Sequence, residues 1–542
     1  MIKSLVLKEW LKLRYYIAIL LLVSCSVLVN FYFDIRFAFS TIEPESMMWY
    51  RYSHIGDKPY YYISYLFLSF GAVVALVQFL PEKIKNRIKI MAHLPLELKE
   101  SLFIHLAIGT GFVFLLSTLT AWILLLIMSH FYPELIVQIT FKDTIIYSFL
   151  SVVLYLGLSA AILERKPFIS ALKLIFSLLC IVVLLKEEYV LLDTFWVVLV
   201  FFIPFMVLDS FYSIKEQRLK SVFYKTTGTI LLVLLIVQSY TYYKKNYKHE
   251  FNRYYIFYSN LIDQFVYQKN FGKHQFEYGI QGVKTFDRKE YESYLPFVYW
   301  RNLDIQNKLP ITIKDKEFSK NTIKNSRLGF SYDPKMLQSI EAKLYPLLNP
   351  QSDKGMISFP EEVFSLEKEE AKVYNFDGDK EEKLIEKELN EKLQKNSFSF
   401  PAKGIWGKAT NMKPYDLGYL ILDSEKKLFN LKRANDKIEL KQISYPSEIE
   451  LAYIKISENK QKQLSGYALD TKSNFYLLSW DFDFIKIDLE KFDHLKMKLK
   501  LIANPINYLI RYDDGVNYYA DVFKRDEKLA LKKVRQIEIN SF

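Results

Sequence analysis

Seven apolar stretches occupy the first 243 residues, at 15–33, 61–80, 103–128, 145–163, 168–185, 195–214 and 229–243. A hydrocarbon core about 30 Å thick needs roughly 20 apolar helical residues to cross it. The pattern therefore predicts a membrane α-helical bundle of six to seven transmembrane helices. The seventh stretch is the shortest, and the fourth and fifth are parted only by Glu164, Arg165, Lys166 and Pro167, a tight helical hairpin.

Basic residues alternate in density between these stretches, and short cytoplasmic loops hold the excess of Lys and Arg. Lys3, Lys8, Lys12 and Arg14 precede the first stretch; Lys83, Lys85, Arg87, Lys89 and Lys99 follow the second; Arg165 and Lys166 lie in the fourth-to-fifth turn; Lys215, Arg218, Lys220 and Lys225 precede the seventh. The intervening loops are poorer in cations or offset them with acids. The expected topology has a cytoplasmic N-terminus in a bacterial cytoplasmic (inner) membrane, and an odd number of spans then puts 244–542 on the extracytoplasmic, periplasmic side. The first stretch lacks a small-x-small cleavage pattern and is followed by more spans, so it reads as a retained helix. Cys25 and Cys180 both fall within spans. The extracytoplasmic part then has no thiol, and an apolar core must hold it together.

Four domains are expected. Residues 1–14 form a cytoplasmic interfacial elbow helix, with Ile2, Leu5, Val6, Trp10 and Leu13 on its apolar side and Lys3, Lys8, Glu9 and Lys12 on the rest, against membrane lipid. Residues 15–243 form the transmembrane domain. Residues 244–400 form a mixed α/β region, with aromatic-rich helical stretches and turns up to 345 and a charged helix with little apolar face at 377–395. Residues 401–542 show the two-residue alternation of strands.

Three segments of this last region repeat. Asp423, Asp470 and Asp513 each stand five residues before Leu428, Phe475 and Tyr518, and Gly418-Tyr419, Gly466-Tyr467 and Asn507-Tyr508 precede them. Strand, Asp-led turn and aromatic strand make a β-hairpin. Three copies are too few to close a propeller, which predicts a partial propeller-like array or an open curved sheet.

The chemistry-bearing motifs are few. No Gly-rich phosphate cradle ends in Lys-Ser or Lys-Thr, so no nucleotide site of that kind is expected. The seven His lack ligand-like spacing; His54 beside Asp57 is the best pair, and neither metal nor cofactor is expected. No Gly-x-Ser-x-Gly elbow occurs, and the chain does not read as an enzyme. The net charge of +12 comes without an arginine-rich block, which argues against nucleic acid, and the 40 Tyr and 42 Phe read as the residue bias of an AT-rich genome. Inside the spans, Lys173 and Asp209 share a depth about five residues from the cytoplasmic end. They either pair or snorkel separately.

The stretch from Pro81 reads as a basic helix, a Leu94-Pro95 bend and a second helical start at Glu97, a rigid cytoplasmic protrusion. With KEWLKLR at 8–14 and the second-span exit at Glu82, it resembles the membrane subunit of ABC-2-type transporters. That resemblance implies six spans, an interfacial elbow, and an inside element that docks on a separate ATPase. Lys8, Glu9, Trp10, Glu82, Lys83, Lys85, Arg87, Leu94 and Pro95 would carry the coupling. Further on, EYESYLPFVYWRNL at 290–303, FPEEVF at 359–364 and FPAKGIWGKATNMKPYDLGYLILDSEKKLFNLK at 400–432 resemble an uncharacterised bacterial domain found with ABC-transporter permeases. Members have His where this chain has Asn430, so no metal or proton role is carried to that position.

The expected function is the permease subunit of an ATP-driven ABC transporter. It would work with a cytoplasmic ABC ATPase and with a second copy of itself or a sister permease. The alternative is a membrane-anchored extracytoplasmic binding or assembly protein for maturation of an exported partner.

Overall fold

The computed structural model describes residues 2–84, 98–185, 200–213, 253–338, 340–351, 356–378, 380–526 and 531–540, together with 228, 232–233, 235–240 and 242–243. The chain divides into two compact units, Met1–Ser239 with Glu341–Lys343, and Tyr240–Ile340 with Leu344–Phe542.

The first unit is built from α1 (Ile2–Thr41), α2 (Ile63–Ile84), α3 (Leu98–Phe131), α4 (Glu134–Leu163), α5 (Pro167–Leu184) and α6 (Ile203–Tyr212). Helices α1 to α5 are long and apolar enough to cross a membrane. The sixth stretch contributes only the ten residues of α6, about 15 Å at 1.5 Å per residue. Among the described residues the number of spans is thus five, short of six to seven. Helix α1 is one helix of 40 residues that runs unbroken through position 14, so the expected elbow and the first span are continuous. No Pro or Gly lies between residues 2 and 41 to end it.

The second unit is β-rich. Sheet I is the antiparallel meander β1 (Arg253–Ser259), β2 (Gln264–Gly272), β3 (Gln275–Ile280) and β4 (Lys284–Phe286). Over 253–286 these strands stand where helical stretches were expected, while short helices do occur at Arg288–Ser293, Trp300–Ile305 and Lys320–Ser326; the runs RYYIFYS and QFVYQKNFG are dense in aromatics, which favour the pleated surface. The hairpin β5 (Ile311–Ile313) and β6 (Lys316–Phe318) follows, then β7 (Leu328–Tyr332). Sheet II holds β8 (Tyr345–Pro346), β9 (Val363–Leu366) and β10 (Ala371–Tyr374), flanked by helix α7 (Lys380–Lys395). Ile385, Leu389 and Leu393 of α7 are buried against the sheet, so the charged helix has an apolar face after all, narrow and at four-residue spacing.

Sheet III comprises β11 (Gly404–Gly407), β12 (Tyr419–Leu422), β13 (Leu428–Ala434) and β14 (Lys437–Ile443). Sheet IV comprises β15 (Leu451–Ile456), β16 (Leu464–Asp470), β17 (Phe475–Ser479) and β18 (Phe484–Ile487). In sheet V the meander β19 (Lys498–Ala503), β20 (Asn507–Asp513), β21 (Asn517–Lys524) and β22 (Lys533–Asn540) is completed by the much earlier β7, which pairs antiparallel with β19.

Successive sheets pack face to face. Tyr345, Phe364 and Leu389 meet Phe429 and Leu431 between II and III; Leu420 and Leu422 meet Ile454 and Leu478 between III and IV. Tyr467 and Leu477 meet Phe330, Leu501 and Ile510 between IV and V. Tyr518, Ala520 and Val522 meet Ile256, Tyr258 and Phe265 between V and I. The result is an open series of sheets, II–III–IV–V–I, none of which closes on itself.

Candidate functional site

Helix α1 buries Leu5, Glu9, Leu13, Ile17, Leu20, Ser24 and Leu28, a stripe at three- and four-residue spacing. Glu9 therefore points into the bundle, where the sequence pattern had placed it on the polar side. Trp10, expected on the apolar face, is exposed and stacks on Phe112 at 5.8 Å between centroids.

A carboxylate facing a bundle interior needs a counter-charge. Lys12 supplies it: its Nζ donates to Glu9 Oε1 at 2.9 Å, to Glu82 Oε1 at 2.8 Å and to the Gln78 carbonyl at 3.1 Å. Lys8 Nζ stands 3.0 Å from the same Glu82 oxygen. Gln78 extends the network, donating from Nε2 to the His105 carbonyl at 2.8 Å and accepting from the Tyr155 hydroxyl at 2.7 Å. His105 Nδ1 lies 2.7 Å from the Ser101 carbonyl, and its Nε2 is 3.7 Å from Glu9 Oε1. One polar assembly thus joins the start of α1, the end of α2, the start of α3 and the last third of α4. Of the residues proposed for coupling, it includes Lys8, Glu9 and Glu82; Lys83 instead donates to the Glu164 carbonyl at 3.0 Å. Lys85, Arg87, Leu94 and Pro95 lie outside the described residues.

Lys173 and Asp209 are brought together. The Lys173 ammonium donates to Asp209 Oδ2 at 3.0 Å, to Glu164 Oε2 at 2.8 Å and to the Ser210 hydroxyl at 2.6 Å. All four residues are buried. Glu164 follows the last residue of α4, and its extended backbone turns its carboxylate under the start of α5. The sequence had offered it as part of a turn. Its spacing of nine from Lys173 is the signal that a hairpin of two antiparallel helices would have made useful.

In the second unit, the Asp-led turns have a definite job. Asp423 Oδ1 accepts the backbone N–H groups of Glu425 and Lys427 at 2.9 and 2.7 Å, and Oδ2 accepts that of Ser399 at 3.2 Å. Asp470 Oδ1 does the same for Lys472 and Asn474 at 2.9 and 2.8 Å. In the third repeat the turn carboxylate is Asp514 and not Asp513, accepting from Val516 and Asn517 at 2.8 and 2.7 Å. The reason is length: this turn closes one residue earlier, leaving Asp513 as the last residue of β20, paired with Tyr518. The tyrosines of the repeat tie segments together through their hydroxyls, Tyr419 to the Pro346 carbonyl at 2.8 Å, Tyr467 to that of Ser331 at 2.8 Å, and Tyr508 to Gln463 Oε1 at 3.2 Å. Asn430 is spent on the Leu417 carbonyl at 2.8 Å.

A buried ion group escaped the sequence reading. Lys413 Nζ contacts Asp416 Oδ1 at 2.7 Å and Glu458 Oε1 at 2.9 Å, joining the β11–β12 loop to the segment after β15. Burial pushes the Glu458 carboxyl above the usual range although Lys413 opposes it. Among the described residues no group of three or more His, Cys, Asp or Glu could hold a metal ion. His54 stacks on Tyr50, and Asp57 pairs with Arg51.

Residues 255–521 match the family model described as Domain of unknown function (DUF4857). The chain thus carries a DUF4857 domain behind a set of apolar helices, an arrangement that fits a membrane-anchored protein. No ABC-2 permease family model matches it. No curated protein and no solved structure matches the chain.

Proposed function

We propose that this chain is the membrane subunit of an ATP-driven ABC transporter in a bacterial cytoplasmic membrane, pairing with a second copy or a sister permease and with two separate cytoplasmic ATPase subunits. The observation that carries the reading is the tie of Lys8 and Lys12 to Glu82. It fastens the start of α1 to the last turn of α2, three residues before the basic 85–97 stretch begins. Force delivered to that stretch would act on both helices together. The other ionic group, Lys173 with Glu164 and Asp209, also lies where helices begin or end. By the Lys and Arg bias these are cytoplasmic ends. Residues 244–542 would then work outside, receiving or handing on cargo. An ATPase moves such a bundle only if it binds one arrangement more tightly than the other.

The test is co-purification. Tagged chain extracted in mild detergent is expected to bring down an ABC ATPase, and charge reversal at Lys83, Lys85 and Arg87 is expected to release it. If no ATPase accompanies the chain, and residues 244–542 exported alone complement a deletion, the chain is instead an anchored assembly protein.

A further inference from the structure

Sheet V is covered unequally. On one face β7 and β19 to β21 pack against sheet IV; on the other, β1 lies over β20 to β22 and leaves β7 and β19 uncovered by it. The uncovered corner is a cavity of about 400 Å³, within the range of small-molecule sites. Its walls are largely apolar, formed by Phe257, Leu295, Phe297, Leu328, Ile502 and Leu509, with Asn260, Asn504 and Asn507 also in the lining.

Its charge is one-signed. Arg327, Lys500 and Arg511 line it, and among the described residues no carboxylate does, although Asp513, two residues along β20, acts on the Arg511 guanidinium from outside the lining. Lys500 and Arg511 are direct cross-strand partners in the β19–β20 ladder, an arrangement of like charges that destabilises a sheet unless something neutral or negative intervenes. The next pair on the same face of that ladder, Lys498 opposite Asp513, has the ordinary opposite signs. The Arg511 guanidinium is held between the rings of Tyr255 and Phe257, 5.4 and 5.0 Å from their centroids, and its Nη1 is buried without a hydrogen-bond partner. Buried donors are nearly always paired. A planar cation fixed by two rings, with a donor to spare and an apolar chamber beside it, matches one chemistry: an acidic head on an apolar body.

We propose that this cavity binds a small amphipathic anion, a carboxylate or phosphate monoester whose head meets Arg511 and Lys500 and whose ring or alkyl body fills the Phe257–Leu295–Ile502 chamber. The site stands independently of any coupling to an ATPase.

The test uses the full chain in phosphatidylcholine nanodiscs, titrated calorimetrically with 2-naphthoate, 2-naphthyl phosphate and the neutral 2-naphthamide. Both acids are expected to bind saturably and the amide at least tenfold more weakly. Arg511→Gln is expected to weaken the acids at least tenfold and leave the amide unchanged. Should that variant lose its β-sheet circular dichroism, Gly329→Trp decides. Gly329 sits on the cavity face opposite Ile502, and its added Cβ meets nothing nearer than the Leu501 carbonyl at 3.7 Å, so the ring should fill the chamber and abolish binding of all three. Equal binding of acids and amide, no binding of either acid, or undiminished acid binding by folded Gly329→Trp overturns the proposal. Replacing the disc lipid with phosphatidylglycerol separates the sources. Competition identifies a lipid head group as the ligand, and its absence a soluble anion; acid-selective binding supports the site in both cases.

Discussion

Lys12 Nζ lies 2.8 Å from Glu82 Oε1, across 70 residues of sequence, and 2.9 Å from Glu9 Oε1 on its own helix. A single ammonium thus serves two buried carboxylates. Lys8, with 41% of its side chain exposed against 18% for Lys12, stands 3.0 Å from Glu82 Oε1 and only 4.0 Å from Glu9 Oε1, an auxiliary to both. Removing one partner of a buried ion group costs far more than removing a surface charge. Lys12→Met is therefore expected to lower stability in detergent by about 3 kcal/mol, and Lys8→Met by less than about 1 kcal/mol. Thermal unfolding of the two variants checks this; equal losses would mean that the two lysines share the load.

The Lys173 group lends itself to a double-mutant cycle. Lys173→Met takes from Glu164 and Asp209 the cation they share and should cost about 3 kcal/mol. The Lys173→Met, Asp209→Asn variant is expected to recover part of that loss, because one of the two carboxylates is then neutral. Additive losses in melting temperature would show that the side chains do not depend on each other.

Among the turn carboxylates, burial sets the ranking. Asp423 is fully buried and accepts three backbone N–H groups; Asp423→Ala should cost about 3 kcal/mol. Asp514 is exposed, water can replace its oxygens, and Asp514→Ala should cost about 1 kcal/mol. Denaturant unfolding monitored by tyrosine fluorescence distinguishes the two.

Asp513 should behave in the opposite sense. Burial pushes its carboxyl above the ordinary 3.8, although Arg253, the Gly515 N–H and Arg511 pull it down. The folded state then holds this proton more tightly than the unfolded state, so stability falls as pH rises from 3.8 through the raised folded value. Asp513→Asn is expected to melt higher than the parent at pH 7 and at the same temperature at pH 3. A lower melting temperature at pH 7 would mean that the carboxylate is needed in its charged form.

Two glycines of the repeat are fixed by close approach. A Cβ on Gly466 (φ 152°) would fall on the Lys455 carbonyl, and one on Gly418 (φ 72°) on that of Leu431. Either Gly→Ala change is expected to cost at least about 3 kcal/mol, the range of strained backbone sites. Gly282→Ala has a positive φ of 70° but open space around it, and should cost about 1 kcal/mol. Equilibrium unfolding of the three variants tests the contrast.

What the sequence made legible depended on period. Apolar length marked α1 to α5, two-residue alternation marked β12 to β15, β17 to β19 and β21, and the Asp-led repeat supplied β16 and β20, because each signal is local. The shared depth of Lys173 and Asp209 followed from counting along two helices from the same end. Glu9 was misplaced because Trp10 suggested an interfacial face, whereas the stripe Leu5–Glu9–Leu13–Ile17 runs one residue to the side. Asp514 was missed because a repeat fixed by counting five residues cannot register a turn one residue shorter. Arg511 gave no signal at all, since its rings come from β1 and its like-charged partner from β19.

The pairing of early with late segments also sets a timetable. Sheet I is the first part of the second unit to be made, yet Ile256 and Tyr258 pack against Tyr518, Val522 and Ile539. At about 5–20 residues per second, the partner strands arrive roughly 15–60 s later. Throughout that interval the Ile256–Tyr258–Phe265 face of sheet I lacks its partner strands, while the opposite face can already pack on Tyr291 and Leu295, and β7 waits equally for β19. A cell that makes this protein must shield those strands until synthesis ends, so truncation late in the chain should be felt first at its earliest sheet.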